Sequence, residues 1–345
     1  MSLMRIGVLT GGGDCPGLNP AIRGVVYRAL DFGDEILGIQ EGWRGLVKGE
    51  AKVLELKDVE EIISSGGTIL GTSRTNPYKK PADLEAVKRN FKTLKLDALI
   101  AIGGEDTLGV ASKLSKEGFP AVGVPKTMDN DLSETDFTFG FDSAVSISVD
   151  ALERLRDTAK SHRRVFVFEV MGRHAGWVAL YTAIAGGADA VLLPEEPVDL
   201  PKLMARVKAA HDRKKYALVV ASEGAELPAE SGAKQEEKLD AFGHMILGKR
   251  GVGERLAAII ERELKLETRY AVVGHIQRGG SPTVFDRILG SRVGAKAVEL
   301  IHEGKFGQMA CLHGDRIEGA PLYKATGTLK VVGKEWLELS KSFFK

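Results

Sequence analysis

Asp97-Ala98-Leu99-Ile100-Ala101-Ile102-Gly103-Gly104-Glu105-Asp106-Thr107 decides the fold. An apolar, β-prone run ends in a glycine pair, two carboxylates follow, and helical apolar spacing resumes beyond them, which reads as strand, tight turn, helix. The same order stands at the amino end. There Arg5 to Leu9 runs into Thr10-Gly11-Gly12-Gly13-Asp14, and a helical stretch covers Asn19 to Leu30. A third apolar run, Phe119 to Val124, ends in the polar turn Pro125-Lys126-Thr127-Met128-Asp129-Asn130-Asp131. Strands that end repeatedly in such turns imply a parallel sheet whose carboxyl ends share one crevice.

The pattern continues outward. Glu35 to Ile39 reads as a strand, Gly66 to Asn76 as a loop exposing Arg74, and Ala82 to Leu94 and Gly140 to Lys160 as helices. Arg164 to Val170 is a strand leading into Met171-Gly172-Arg173, Ala188 to Leu193 is another, and Tyr216 to Ser222 ends at Glu223. Arg269 to Val273 runs into Gly274-His275-Ile276-Gln277-Arg278-Gly279-Gly280, and Glu254 to Leu264 is helical. Leu227 to Gly251 reads as an exposed insertion, and the tail from about Lys305 carries no assigned chemistry. The expected fold class is therefore α/β, with two Rossmann-like three-layer α/β/α lobes, mostly parallel sheets and the active site in the cleft between them. The expected division is 1–139 plus about 251–303 for one lobe, and 140–250 plus about 304–345 for the other.

With 345 residues, the chain is long enough to bury two cores of ordinary size. Lys and Arg number 48 against 47 Asp and Glu, so no global field draws in nucleic acid, and any anion site must concentrate its charge locally. No apolar run approaches the roughly 20 residues that span a bilayer. Cys15 and Cys311 are far apart with no Cys-x-x-Cys, which argues against a disulfide framework or structural zinc. With no signal-peptide pattern at the start, a cytoplasmic location is expected, without nucleic acid or membrane as partner.

The turn at Pro125 to Asp131 sets a lysine beside two carboxylates, a kit for holding a metal-phosphate and deprotonating a hydroxyl. Glu105 and Asp106 suit a magnesium ion, or equally a helix N-terminus that favours negative charge. The glycine turn at Gly11 to Gly13 suits a phosphate on uncovered N–H groups, although its spacing matches neither a Walker loop nor a strict dinucleotide fingerprint. Arg74, Arg164, Arg173, Arg269 and Arg278, with His275, all fall on strand edges or loops. Guanidinium forks grip phosphate bidentately, so several of them imply a substrate with a phosphate of its own.

Five segments together, Gly11 to Asp14, Gly103 to Thr107, Pro125 to Asp131, Glu169 to Arg173 and Gly274 to Pro282, resemble the 6-phosphofructokinases of the A type, in the right order and over nearly the whole chain. The resemblance implies a homodimer or homotetramer that phosphorylates fructose 6-phosphate with Mg2+. By it, Asp129 is the base toward the sugar's 1-hydroxyl, Lys126, Asp106 and Thr127 complete the catalytic set, and Glu105 is the magnesium ligand. Gly12, Gly13, Gly104, Arg74, Asp106 and Lys126 would hold the phosphate donor. Thr127, Met128, Asp129, Met171, Gly172, Arg173, Glu223, His275, Ile276, Gln277 and Arg278 match the sugar-phosphate site. Arg164 and Arg269 match arginines that in this family arrive from a neighbouring subunit.

Two departures refine the expectation. ATP-using bacterial relatives carry glycine where this chain has Asp106 and Lys126. Asp106 would fill the room of a nucleotide's α-phosphate and ribose, while Lys126 offers a compact cation to a smaller donor. That pairing resembles the pyrophosphate-dependent members, so pyrophosphate is the expected donor and ATP the alternative. Some ATP users keep the lysine, which makes Asp106 the stronger discriminator. In the first helix, Ile22-Arg23-Gly24-Val25-Val26-Tyr27 has tyrosine where a second effector-binding arginine stands in bacterial ATP enzymes, so little control by nucleotide diphosphates or phosphoenolpyruvate is expected. A non-catalytic phosphosugar sensor and a nicotinamide oxidoreductase are the rivals from other classes; Asp129 argues against the first and the inexact glycine spacing against the second.

Overall fold

The computed structural model describes residues 3–228 and 251–344. The insertion expected at Leu227 to Gly251 thus lies almost wholly outside the described residues. Eleven strands are present among them: β1 (Arg5–Thr10), β2 (Glu35–Ile39), β3 (Ala51–Leu54), β4 (Ala98–Gly103), β5 (Ala121–Pro125), β6 (Val165–Val170), β7 (Ala190–Leu192), β8 (Ala217–Ser222), β9 (Thr268–Val272), β10 (Gln308–His313) and β11 (Arg316–Pro321). They form a seven-stranded sheet ordered β11-β10-β5-β4-β1-β2-β3 and a four-stranded sheet ordered β7-β8-β6-β9. The second sheet is wholly parallel, and in the first only the edge strands β3 and β11 run antiparallel to their neighbours. The chain divides into two compact units, one made of 1–128, 132–143 and 278–329, the other of 129–131, 144–277 and 330–345.

In the first unit, β1, β4 and β5 are buried along almost their whole length, as strands covered on both faces must be. One face packs Leu9, Leu37, Ile39, Leu99 and Ala101 against Trp43, Val87, Phe91, Ala111 and Leu114 of three helices. The other carries the helices Leu18–Phe32 and Val284–His302, which lie against each other and against the sheet. Their backbones meet at glycine: a Cβ on Gly24 would come within 2.3 Å of Ser291 O, and one on Gly294 within 2.2 Å of Ala21 O. In the second unit, Val165, Val167, Val219 and Ala221 pack against Leu203, Val207, Leu256 and Ile260 of the helices Leu200–Lys214 and Val252–Leu264.

The units correct the boundaries expected from the sequence at both ends. Residues 251–277 fall in the second unit, because β9 pairs with β6 and Val252–Leu264 covers that sheet. Residues 304–329 fall in the first, because β10 lies parallel to β5 with Met309 opposite Gly123, and β11 folds back on β10. β10 offers an apolar run of only four residues, Met309 to Leu312, and Arg316 and Glu318 interrupt β11, so neither strand stood out in the tail.

Candidate active site

The glycine turns of the first unit are brought together by named bonds. Gly11 N donates to Ile102 O at 3.0 Å, tying the end of β1 to the end of β4. Thr107 fills the angle between the two turns: a Cβ on Gly11 would lie 2.5 Å from its Oγ1, and one on Gly103 2.3 Å from its Cβ. The Arg74 loop joins them, since Gly12 N donates to Ser73 O at 3.0 Å and Thr72 Oγ1 donates to Gly12 O at 2.6 Å. Lys126 is buried, and its Nζ donates to Gly13 O at 2.5 Å. A Cβ on Gly12 would lie 3.4 Å from that ammonium. Glu105 and Asp106 form the first turn of the helix Glu105–Lys116, capped by Gly104. The N–H groups of Gly11 and Gly12 are taken up inside the protein, so the parts left to receive a polyanion with its metal are the buried cation and the helix-start carboxylates. The thiol of nearby Cys15 is fully buried and pushed up to about 12 by that burial, so it is no nucleophile.

The second unit contributes carboxylates. Glu169, the penultimate residue of β6, is buried and accepts from Gly253 N–H at 2.6 Å; burial pushes its carboxyl up against that bond. Burial also pushes Glu223 up, the Asp129 charge adds to the rise, and the Gly172 N–H at 3.3 Å pulls the other way. Asp129, Glu223 and Gly172 are therefore electrostatic neighbours at the carboxyl ends of β6 and β8. Gly172 takes a φ of 142°, which lets its carbonyl receive Ser222 Oγ at 2.6 Å. Asn130 is buried at φ 51° and accepts from Lys330 Nζ at 3.0 Å, while Lys330 N donates to Asp131 O at 2.8 Å.

Several expected site residues stand differently from their sequence reading. Arg278 lies in the first unit on the glycine turn, with Nη1 donating to Asp14 O at 2.9 Å. Met128 and Gln277 are buried to 1% and 0% exposure, so neither presents a side chain to a ligand. His275 and Ile276 are exposed. Arg164 and Arg269 both pair with Glu267, at 2.8 and 2.7 Å. They stand at the amino ends of β6 and β9, whereas Glu169 to Arg173, Glu223 and His275 stand at the carboxyl ends. At about 3.3 Å per strand residue, the two groups are separated by roughly 15 Å. Thr107 and Glu169 stand in segments that carry the resemblance but were given no role from sequence, and Lys330 was not singled out at all. Glu169 carried a signal, a charged residue in an otherwise apolar strand; Lys330 sits in a mixed-polarity tail and carried none.

The phosphofructokinase family model matches residues 5–301. The chain belongs to that family. Phosphofructokinases are phosphotransferases that usually need a divalent metal. One relative, the pyrophosphate–fructose 6-phosphate 1-phosphotransferase of Dictyoglomus thermophilum, is 55% identical over 100% of this chain and 99% of its own. Another, the ATP-dependent 6-phosphofructokinase 3 of Streptomyces coelicolor, is 48% identical over 95% of this chain and 96% of its own. Among solved phosphofructokinases, the pyrophosphate-dependent enzyme of Marinobacter aquaeolei superposes with a TM-score of 0.82 at 27% identity, covering 96% of this chain and 86% of that one.

Proposed function

We propose that the chain is a pyrophosphate-dependent phosphofructokinase, which reversibly transfers a phosphoryl group from pyrophosphate to the 1-hydroxyl of fructose 6-phosphate, giving fructose 1,6-bisphosphate and phosphate. The observation that carries the choice of donor is Asp106 in the first turn of the helix Glu105–Lys116, supported by Lys126. Its ammonium is buried against Gly13 O, where it meets the phosphates of a small donor, and Asp106 opens the neighbouring helix where a nucleotide's α-phosphate would need clearance. The 55% identical relative named for pyrophosphate supports the same donor. Asp129 takes the proton of the attacking hydroxyl, Glu223 and Arg173 hold the sugar phosphate, and Gly11 to Gly13 and Arg74 hold the donor.

Mg2+ fits this donor set. Among the described residues no three ligating side chains gather into a cage, whereas Glu105 and Asp106 offer carboxylates beside a phosphate-binding turn. That suits a hard cation carried on the substrate's own phosphates. When bound, it would neutralise charge on the phosphates.

Self-association supports the sugar side. Arg164 and Arg269 are too far from Glu223 to serve the same site of their own chain, so they serve a second copy. β9 pairs only with β6 among the described residues, and its Tyr270 and Val272 are 46% and 51% exposed, an edge suited to burial in a homo-oligomer. A cytoplasmic location is part of the proposal. Among the described residues no helix is long and apolar enough to cross a membrane.

The deciding experiment assays the purified protein with pyrophosphate and with ATP at equal magnesium. Turnover with pyrophosphate and little with ATP is expected; strong ATP activity with none on pyrophosphate would sink the reading.

A further inference from the structure

Gln277 sits between exposed His275 and Ile276 and half-buried Arg278, yet it is itself fully buried, and both ends of its carboxamide are engaged. Its Oε1 accepts from Met171 N–H at 2.8 Å, and its Nε2 donates to Ser148 Oγ at 2.6 Å. Ser148, also fully buried, donates its hydroxyl proton to Ala144 O at 2.7 Å, one turn back in the helix Phe141–His162. A hydroxyl has one proton to give. With that proton on Ala144, Ser148 Oγ accepts from Gln277, so the carboxamide cannot turn over and Oε1 stays on Met171. Met171 N–H lies beyond Val170 and Ser222, the last ladder pair of β6 and β8, so the sheet does not serve it. From Met171 the backbone turns at Gly172, whose N–H reaches Glu223 and whose carbonyl receives Ser222 Oγ and Gly224 N–H.

We propose that the buried pair Gln277 and Ser148 is a positioning device: it fixes the backbone of Met171 and Gly172, and through it the aim of Arg173 and Glu223, without touching substrate. The inference rests on the proposed reading that these residues bind a sugar phosphate. It also replaces the expectation that Gln277 meets the sugar phosphate directly.

The test combines amide exchange at Met171 in the free protein with KM and kcat for both substrates. Gln277→Met keeps the length of the side chain and removes the acceptor. Exchange at Met171 is expected to quicken, and the KM for fructose 6-phosphate to rise ~10-fold, with kcat and the KM for pyrophosphate within ~2-fold. Gln277→Glu gives the diagnostic pH profile. A protonated carboxyl reproduces both bonds, so its KM approaches the wild-type value at low pH and climbs as the acid ionises and loses its donor to Ser148. Ser148→Ala is expected to raise KM less, and to add little on top of Gln277→Met, as partners in one chain of bonds do. Unchanged Met171 exchange and KM in Gln277→Met, or a Gln277→Glu variant as impaired at low pH as Gln277→Met, overturns the proposal. If Gln277→Met does not fold, Ser148→Ala carries the same two readouts. A wild-type protein that neither binds nor turns over fructose 6-phosphate sinks the functional reading instead, and Met171 exchange still decides the positioning claim.

Discussion

The two units arrange their reactive groups by opposite means. In the first, glycine turns pack closely together and a buried ammonium, Lys126, is tied to a carbonyl of the turn Gly11 to Gly13. In the second, carboxylates gather at strand ends: Glu169 buried against a helix start, Glu223 half-buried against Gly172 N–H, with Asp129 raising Glu223 further. Burying a cation in one place and anions in another separates two tasks. A polyanionic donor needs positive charge, whereas a sugar needs acceptors for its hydroxyls and a base for one of them.

Removing the base breaks the comparison hardest. Asp129→Ser should lower turnover ~10³-fold or more, within the range of general base catalysis, while sparing fructose 6-phosphate binding measured by calorimetry. Equal loss of binding and turnover would remove the base assignment. On the donor side, Lys126→Gly should cost pyrophosphate turnover ~10²-fold, with the sugar KM far less affected, because one preorganised cation is lost from the phosphates. Adding Asp106→Gly tests whether room for a nucleotide has been opened, read as ATP turnover that the parent lacks.

A smaller effect is expected from Arg269→Ala, a rise of ~10-fold or more in the sugar KM, the usual cost of a charge-assisted bond. Mixing that variant with Asp129→Ser should restore activity, since one mixed site then holds both an intact Asp129 and an intact Arg269. No recovery on mixing would place the arginine outside any shared site.

The mildest test concerns Asp286, fully buried beside Ser143, whose N–H and hydroxyl it accepts at 2.8 and 2.6 Å. Burial pushes its carboxyl up to about 6 against those bonds. The folded chain thus holds this proton more tightly than the unfolded one. Its contribution to stability is complete below the ordinary carboxylate range and is lost as pH rises through about 6. Thermal melts from pH 4 to 8 should show a steeper decline for the parent than for Asp286→Asn; parallel curves would assign the proton elsewhere. Effectors should do nothing measurable. The Arg23 guanidinium lies 4.0 Å from the Tyr27 ring centroid, so the arginine kept at the first effector position already stacks on the residue at the second.

Most strands were legible because each is an apolar run closed by glycine or charge. β1, β2, β4, β5, β6, β8 and β9 lie within a residue or two of their sequence reading. β3, β10 and β11 were not, since the edge strands β3 and β11 carry polar residues that blur the apolar run and β10 offers a run of only four. For the same reason the tail's place in the first sheet was hidden. Among the proposed site residues, Lys126, Asp106, Asp129 and the glycine turns stand out by type and spacing. Gln277 did not, because a polar residue beside histidine and arginine reads as a ligand contact until burial shows its amide is engaged inside the protein.

The sequence by itself determined the α/β class, the strand-end turns and the chemistry available in them, because period, glycine and charge are local properties of the chain. Only the tertiary structure decided which strands share a sheet. It also showed that Arg164 and Arg269 stand at the opposite strand ends from Glu223, that Lys330 pins the Asp129 turn, and that Gln277 faces inward. Those outcomes depend on pairing and burial between segments remote in sequence, and no local pattern encodes a partner that lies a hundred residues away.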